Sequence, residues 1–429
     1  MTALGGRPEW CGAVSGLRVV HGCAGVLVLG ALGMTFWGGL DDRGVALAFG
    51  ALIVVGELSL PRDSGAVRAG ATPATGAHDR EAAPLGTAAA LSYALLADAG
   101  GAAQVVSVVF AASLLGNVPH IWRGRTDVPD RLARRVLTVG FAAICFQPLY
   151  ARGLFGAWGG TAHALLLLAL LVLTALCDAV LAAALAHCRT GWPFGPLLRD
   201  ELRGLPGIGS AVCATGAVMA LAVAVVGLWA LPVFCLPLLL TQLSVRRYAA
   251  VRATYRQTIA SLARATEVAG CTPAGHARRV AALSQAVGRD LGLSGPDLTV
   301  LEYAALMHDI GQLSLVDPVP AGATAGLPPA EQRRIALLGG AVVRQTGVDA
   351  AVAVVVERQA DPYPEQPMAA RIVRTVNAYE EKARDAGPGG PLKALEELRL
   401  GTAGDYAPEV VESLARVLSR GGLRLPLAG

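Results

Sequence analysis

The sequence predicts an all-α protein in two parts: a polytopic transmembrane helical bundle of about eight spans, followed by a cytosolic all-helical domain. Three observations carry this. Apolar runs of bilayer-spanning length fill roughly the first 245 residues, most of the charge lies after them, and the later part shows helical periodicity without strand alternation. Of 429 residues, 54% are hydrophobic and 16% charged, with a mean hydropathy of +0.51. A soluble domain carries about a quarter charged residues. The net charge of +4 is modest and reads as membrane topology, so no nucleic acid polymer is expected as a partner. Basic residues are almost all Arg, with Lys only at Lys382 and Lys393.

From the start, Met1 to Arg18 mixes Arg7 and Arg18 with Glu9, Trp10 and Cys11, ahead of a run long enough to span a bilayer. It reads as an anchor and not as a cleaved signal peptide. Spans are expected at about 17–38, 43–60, 84–99, 101–118, 133–151, 160–186, 209–227 and 228–244, with a turn at Asp98-Ala99-Gly100-Gly101. The eight cysteines include no CxxC, and Cys23, Cys145, Cys177, Cys213 and Cys235 fall in apolar spans as small hydrophobes, so neither a disulfide framework nor a zinc knuckle is expected.

Loop charge sets the orientation. Arg62, Arg68 and Arg80 follow the second span, Arg123, Arg125, Arg131, Arg134 and Arg135 the fourth, Arg189, Arg199 and Arg203 the sixth, and Arg246, Arg247, Arg252 and Arg256 the last. The alternate loops carry only Arg43 and Arg152, which puts both termini in the cytoplasm of a multi-pass plasma-membrane protein. Among ionisable residues near the spans, Glu57 and Asp98 read as interfacial, His163 as near the outer surface, and Asp178 as the deepest. No paired broken helices suggest a transporter, so residues 1–244 read as a sensory or anchoring module.

Residues 245–271 form a linker. Val245, Ala249, Val251, Tyr255, Ile259, Leu262 and Ala265 mark a helical stripe with Arg on other faces. A helix that pairs into a homodimer through residues 245–270 and a plain amphipathic spacer both satisfy this pattern.

Residues 272–420 form the cytosolic domain, with a tail at 421–429. Helices are expected at about 273–291, 296–309, 328–345, 348–358, 367–384, 391–399 and 407–419, the first starting at Thr272-Pro273. The chemistry-bearing stretch is Ala304-Ala305-Leu306-Met307-His308-Asp309-Ile310-Gly311. An adjacent imidazole and carboxylate ending an apolar helix are costly to bury without a partner, and they can share one divalent ion. His276 opens a second helical pattern, His276-Ala277-Arg278-Arg279-Val280, and offers another ligand.

These motifs resemble the HD superfamily of metal-dependent phosphohydrolases, and in particular its HD-GYP branch. Further on, Glu357-Arg358, Tyr363-Pro364, Ala370-Arg371-Ile372 with Asn377-Ala378-Tyr379, and Pro408-Glu409-Val410-Val411 follow that branch's order of motifs. The resemblance covers roughly residues 270–420. It implies hydrolysis of cyclic di-GMP or another phosphoester at two or three metal ions. It also implies His276, His308, Asp309 and Asn377 as metal ligands, Asp309 and Gln312 as catalytic positions, and Arg278, Arg279 and Arg371 as phosphate-binding cations.

The departures are specific. Gln312 replaces the branch's phosphate-contacting Lys, Ala336 or Leu337 replaces a ligand His, Val355 and Val356 replace paired His, and Asn377 replaces Asp. The cytosolic domain has only two histidines, His276 and His308. Three firm ligands can serve one divalent ion (Mn, Fe, Mg or Zn), and not a two- or three-metal centre. Two readings follow: a membrane-bound phosphohydrolase of reduced, single-metal activity, or a catalytically degenerate HD-GYP module that signals by binding.

Overall fold

The computed structural model describes residues 9–60, 84–96, 100–122, 124–151, 160–317, 319, 322–385 and 389–421. Among these every regular element is helical, and the only bridge is an isolated pair, Thr402 with Tyr406. The chain divides into two compact units with the boundary between Ala250 and Val251. Asp98, Arg62, Arg68, Arg80, Arg123, Arg152 and the tail beyond Gly421 fall outside the described residues.

The first unit contains α1 (Glu9–Gly38), α2 (Arg43–Leu58), α3 (Pro84–Ala94), α4 (Gly101–Trp122), α5 (Val128–Ala151), α6 (Gly160–Thr190), α7 (Phe194–Gly204), α8 (Ser210–Val226) and the start of α9 (Ala230–Val268). Each of the eight expected spans meets a helix. Five segments of the described residues are long and apolar enough to cross a membrane: Gly16–Gly38, Gly101–Trp122, Val128–Ala151, Ala164–Thr190 and Ser210–Val268. The others are too short for the same criterion. At 1.5 Å per residue α2 reaches about 24 Å and α3 about 17 Å, against a hydrocarbon core of about 30 Å.

Helix α3 is an interior element, buried from Pro84 to Ala94 except at Thr87. Its run Gly86-Thr87-Ala88-Ala89-Ala90 presents so little side chain that neighbouring backbones close in on it. A Cβ on Gly56 would stand 2.6 Å from Gly86 Cα, and one on Gly216 3.0 Å from the Ala88 carbonyl. From α9, the buried Gln242 amide donates to the Gly56 carbonyl (3.1 Å) and accepts from Leu85 N–H (3.3 Å), joining α2 and α3.

Glu57, read above as interfacial, is the residue before the last of α2. It is 4% exposed, pairs with Arg135 at 2.9 Å and accepts from Asn117 at 2.9 Å, because a carboxylate inside an apolar bundle must be matched. Asp178 is likewise matched: Arg134 donates two bonds to it (2.7 and 2.6 Å) and Thr138 a third (3.1 Å).

The second unit holds the end of α9, then α10 (His276–Asp290), α11 (Gly295–Met307), α12 (Pro329–Gln345), α13 (Ala350–Arg358), α14 (Met368–Asp385), α15 (Gly390–Leu400) and α16 (Pro408–Gly421). The expected starts and ends are met within a few residues. The largest shift is at α10, which opens at His276 and not at Thr272, because Gly275 is left-handed at φ +73° and cannot continue a helix. Three of the seven stripe residues have an intrachain use: Ile259 is 1% exposed in this unit's core, with Tyr255 and Leu262 packed on it. Val251, by contrast, is 66% exposed.

Candidate metal centre

Two helix ends bring the donors together. Gly275 turns the chain so that α10 begins with His276, while α11 ends at Met307 and releases His308 and Asp309 into the 3-10 turn Ile310–Ser314. Gly311 permits this approach. A Cβ there would collide with the Ile335 carbonyl and stand 2.7 Å from Gly339 N on α12.

His276, His308 and Asp309 are 1%, 2% and 4% exposed. His308 Nε2 lies 3.0 Å from Asp309 Oδ2 and His276 Nε2 lies 3.4 Å from it. One ligand atom from each residue falls within 4.8 Å of the others. The far side of each ring is committed. His276 Nδ1 donates to Glu380 Oε2 at 2.7 Å, and His308 Nδ1 to the Ala305 carbonyl at 2.9 Å. A ring that donates from Nδ1 presents, when neutral, an electron pair at Nε2. Two such pairs and a carboxylate oxygen therefore face one space, and none of the three atoms has a well-formed hydrogen bond. Electron pairs do not converge in this way without positive charge among them, supplied by ring protons or by a cation.

The electrostatics express the same demand. Burial alone would lower the His276 pKa, but the Asp309 and Glu380 carboxylates outweigh it and lift it to about 10. Burial also opposes charge on His308, and Asp309 overcomes it, so this ring too is raised. Asp309 is disfavoured by burial yet held well below the carboxylate range by His308 and His276. Glu380, also buried, is held at about 2 by His276 and by Arg279, which donates to its other oxygen.

Asn377 lies on the same cavity as His308 and Asp309. Its amide nitrogen donates to Glu381 Oε1 (2.8 Å) and Thr324 Oγ1 (3.3 Å), which leaves its buried Oδ1 without a partner. With His308 and Asp309 it lines a cavity of about 50 Å³. Glu381 also accepts from Thr324 N–H (3.2 Å) and Ala325 N–H (3.0 Å), fastening that loop against α14. Burial, followed by the nearby Asp309, raises the Glu381 pKa.

Other expected site residues lie elsewhere. Arg278 is exposed. Arg279 is held by Glu380, and Arg371 by the Gln366 and Pro364 carbonyls and by Glu409. None of the three lines the cavity, whereas Arg374, which the sequence reading missed, does so and donates to the Gln359 and Asp361 carbonyls. Gln312 is 1% exposed, and both its amide atoms are buried without a partner. Of the two residues that the resemblance sets in place of a ligand His, Ala336 lines the cavity and Leu337 is 52% exposed. Val355 and Val356 are core residues. Glu380 was also missed. Its place one helical turn after Asn377, on the same face of α14, is the signal that could have found it.

Compared with protein-family models, curated proteins and solved structures, the chain gives no match in any of the three.

Proposed function

We propose that this is a membrane-embedded signalling protein whose second unit is an HD-GYP-like metal-dependent phosphohydrolase domain built around one metal ion. The observation that carries this reading is the convergence of His276 Nε2, His308 Nε2 and Asp309 Oδ2, buried and unpartnered, with both imidazoles locked from behind. These donors, with Asn377 Oδ1, suit a divalent ion such as Mn, Fe, Mg or Zn. Such an ion supplies a Lewis acid for a phosphoryl oxygen and an acidified water as nucleophile.

The chain's own residues do the rest. Glu380 and the Ala305 carbonyl fix the tautomer and aim of the two rings. Arg374 is the cation in the cavity wall able to meet phosphate charge. About 50 Å³ admits an ion and a few waters but not a nucleotide, so a phosphoester would present one phosphoryl group from outside. Valines at 355 and 356 and Ala336 offer no donors for a second ion, which argues against two-metal cleavage of cyclic di-GMP.

A second reading, a non-catalytic module that binds a phosphoester or cyclic dinucleotide, is favoured by Gln312 in place of a phosphate-contacting Lys and by the outward engagement of Arg371. For the membrane part we read all eight segments as membrane-embedded, with α2 and α3 as short members and both termini cytoplasmic. Pairing of two chains through residues 245–270 would use the exposed positions around Val251.

The test is metal content of the purified full chain and of its Asp309→Ala variant, followed by a phosphoesterase screen beginning with cyclic di-GMP. One ion per chain, lost in the variant and accompanied by turnover, supports the enzyme. An ion without turnover on any phosphoester supports the binding module. A folded protein that takes up no divalent ion overturns the metal reading.

A further inference from the structure

Within the first unit a cavity of about 680 Å³ opens among α2, α3, α4, α5, α6 and α8. Packed interiors leave few voids larger than a water molecule, so a space of this size is not a packing defect, and it falls in the range of ligand sites. Its walls are mostly apolar, including Leu168, Leu171 and Val172 of α6 and Val139 of α5. Leu168 and Val172 are 57% and 52% exposed, on a helix apolar and long enough to cross a membrane, so in a bilayer that side gives onto hydrocarbon and not onto water.

One end is polar, and its charges are matched. Arg134 donates to Asp178, Arg135 pairs with Glu57, and Arg131 pairs with Asp127 (3.3 Å) while donating to Asn117 Oδ1 (3.4 Å). Each guanidinium of the wall thus has a carboxylate, and a charged head entering here would stand uncompensated in a space of low dielectric. The wall hydroxyls are matched too, with one exception among the described residues. Thr87 accepts from Arg135, Thr138 donates to Asp178, Thr174 to the Leu170 carbonyl and Ser210 to the Gly207 carbonyl. Ser113 differs: it is 1% exposed, and its hydroxyl has no hydrogen-bond partner. A buried hydroxyl left unpaired is costly, and a ligand oxygen beside it would remove that cost.

We propose that this cavity binds a neutral amphiphile, an uncharged head with one hydroxyl or carbonyl oxygen on a hydrocarbon body, with that oxygen at Ser113 and the chain along α6. The apolar wall takes the body. Ser113 supplies the hydrogen bond that the wall leaves open, and the balanced ion pairs select against a charged head. The head can come from a free long-chain alcohol or from a neutral glycerolipid of the surrounding bilayer. Entry from the bilayer rests on the reading of α6 as membrane-embedded, and the binding chemistry does not involve the metal centre.

The full chain in phosphatidylcholine nanodiscs would be incubated with hexadecanol, hexadecane, hexadecanesulfonate or dipalmitoylglycerol. Molecules retained after washing would be extracted and counted by mass spectrometry against empty nanodiscs. The expected result is one hexadecanol per chain, preferred about tenfold over hexadecane and at least about tenfold over hexadecanesulfonate. Retention of dipalmitoylglycerol in preference to hexadecanol assigns a bilayer glycerolipid as the source of the head. Ser113→Ala should erase the preference for hexadecanol over hexadecane. Ala175→Phe, which fills the cavity without touching a charge, should abolish retention of both and decides the matter if the first variant does not fold. A chain that stays soluble without lipid or detergent overturns the membrane placement, and the same counts on that soluble chain still decide the cavity. Equal retention of hexadecanesulfonate, no preference for hexadecanol over hexadecane, or undiminished retention in Ala175→Phe overturns the proposal.

Discussion

Glu380 acts at a distance of one bond from the centre. It anchors His276 and is itself anchored by Arg279, so Glu380→Gln should leave the helices intact while releasing the ring. Metal affinity in that variant is expected to fall about tenfold to a hundredfold, read by competition with a chelating dye. Proton competition gives a second residue-scale test. The folded pKa of His276 stands near 10, above its ordinary 6.5, so in the metal-free protein its charge stabilises the fold fully below pH 6.5. That contribution fades as pH rises toward 10. Metal uptake runs the other way, since the ring must first lose its proton, and affinity should climb through the same window. Titration calorimetry near pH 7.5, repeated in buffers of different ionisation heat, should register proton release. Identical heats in every buffer would mean the rings are already neutral. At this scale the grouping of His276, His308 and Asp309 was legible in residue type and order, and so was the place of Asn377 on the same cavity. Arg374 was hidden, because nothing about an Arg on a helix announces the carbonyls it will meet, and Glu380 offered only its spacing from Asn377, with its partner His276 104 residues away.

Among the elements, the 3-10 turn after Asp309 rests directly on α12. Gly311→Ala would drive a methyl group into the Ile335 carbonyl and the Gly339 backbone, which cannot swing aside as a side-chain tip can. We expect a loss of about 2–3 kcal/mol in chemical denaturation of the second unit, along with weaker metal binding. Gly326→Ala, with open space around its position, should be nearly neutral. A contrasting element is α16, held to α10 by Asp290. Burial alone would raise that carboxyl, but the Ser413 hydroxyl and Arg416 and Arg420 hold it below its usual value. A lowered folded pKa gives stability that is present above 3.8 and lost as pH falls through the folded value. Asp290→Asn should therefore flatten the acid side of the stability profile, and an unchanged profile would assign the attachment to the apolar contacts of Val410 and Leu414. Helix positions in this unit followed from apolar spacing. The start of α10 did not, since a left-handed Gly275 leaves no mark on periodicity.

On the scale of the whole molecule, the membrane part was legible as apolar runs but not as packing. Counting apolar residues cannot distinguish a helix that crosses a bilayer from one like α3 that is enclosed by its neighbours, because both are uniformly apolar. The same limit hid the charges. Glu57 and Asp178 look like isolated polar residues in sequence, and only the fold shows the arginines of α5 that balance them. Orientation can be checked with reporters fused after residue 421. A fluorescent protein should mature there and a phosphatase that requires the exterior should stay silent, whereas the reverse would place the C-terminus outside.

The geometry of the centre also bears on the order of events in the life of the chain. With His276 and His308 able to carry protons between themselves and Asp309, the space never has to stand as bare opposed electron pairs. If the centre takes up an ion as proposed, folding need not wait for it. A newly made chain would then be able to mature as a protonated precursor and exchange those protons for an ion whenever supply allows. Starvation for metal would then leave a reservoir of intact protein ready to be loaded, rather than a burden of chains for degradation.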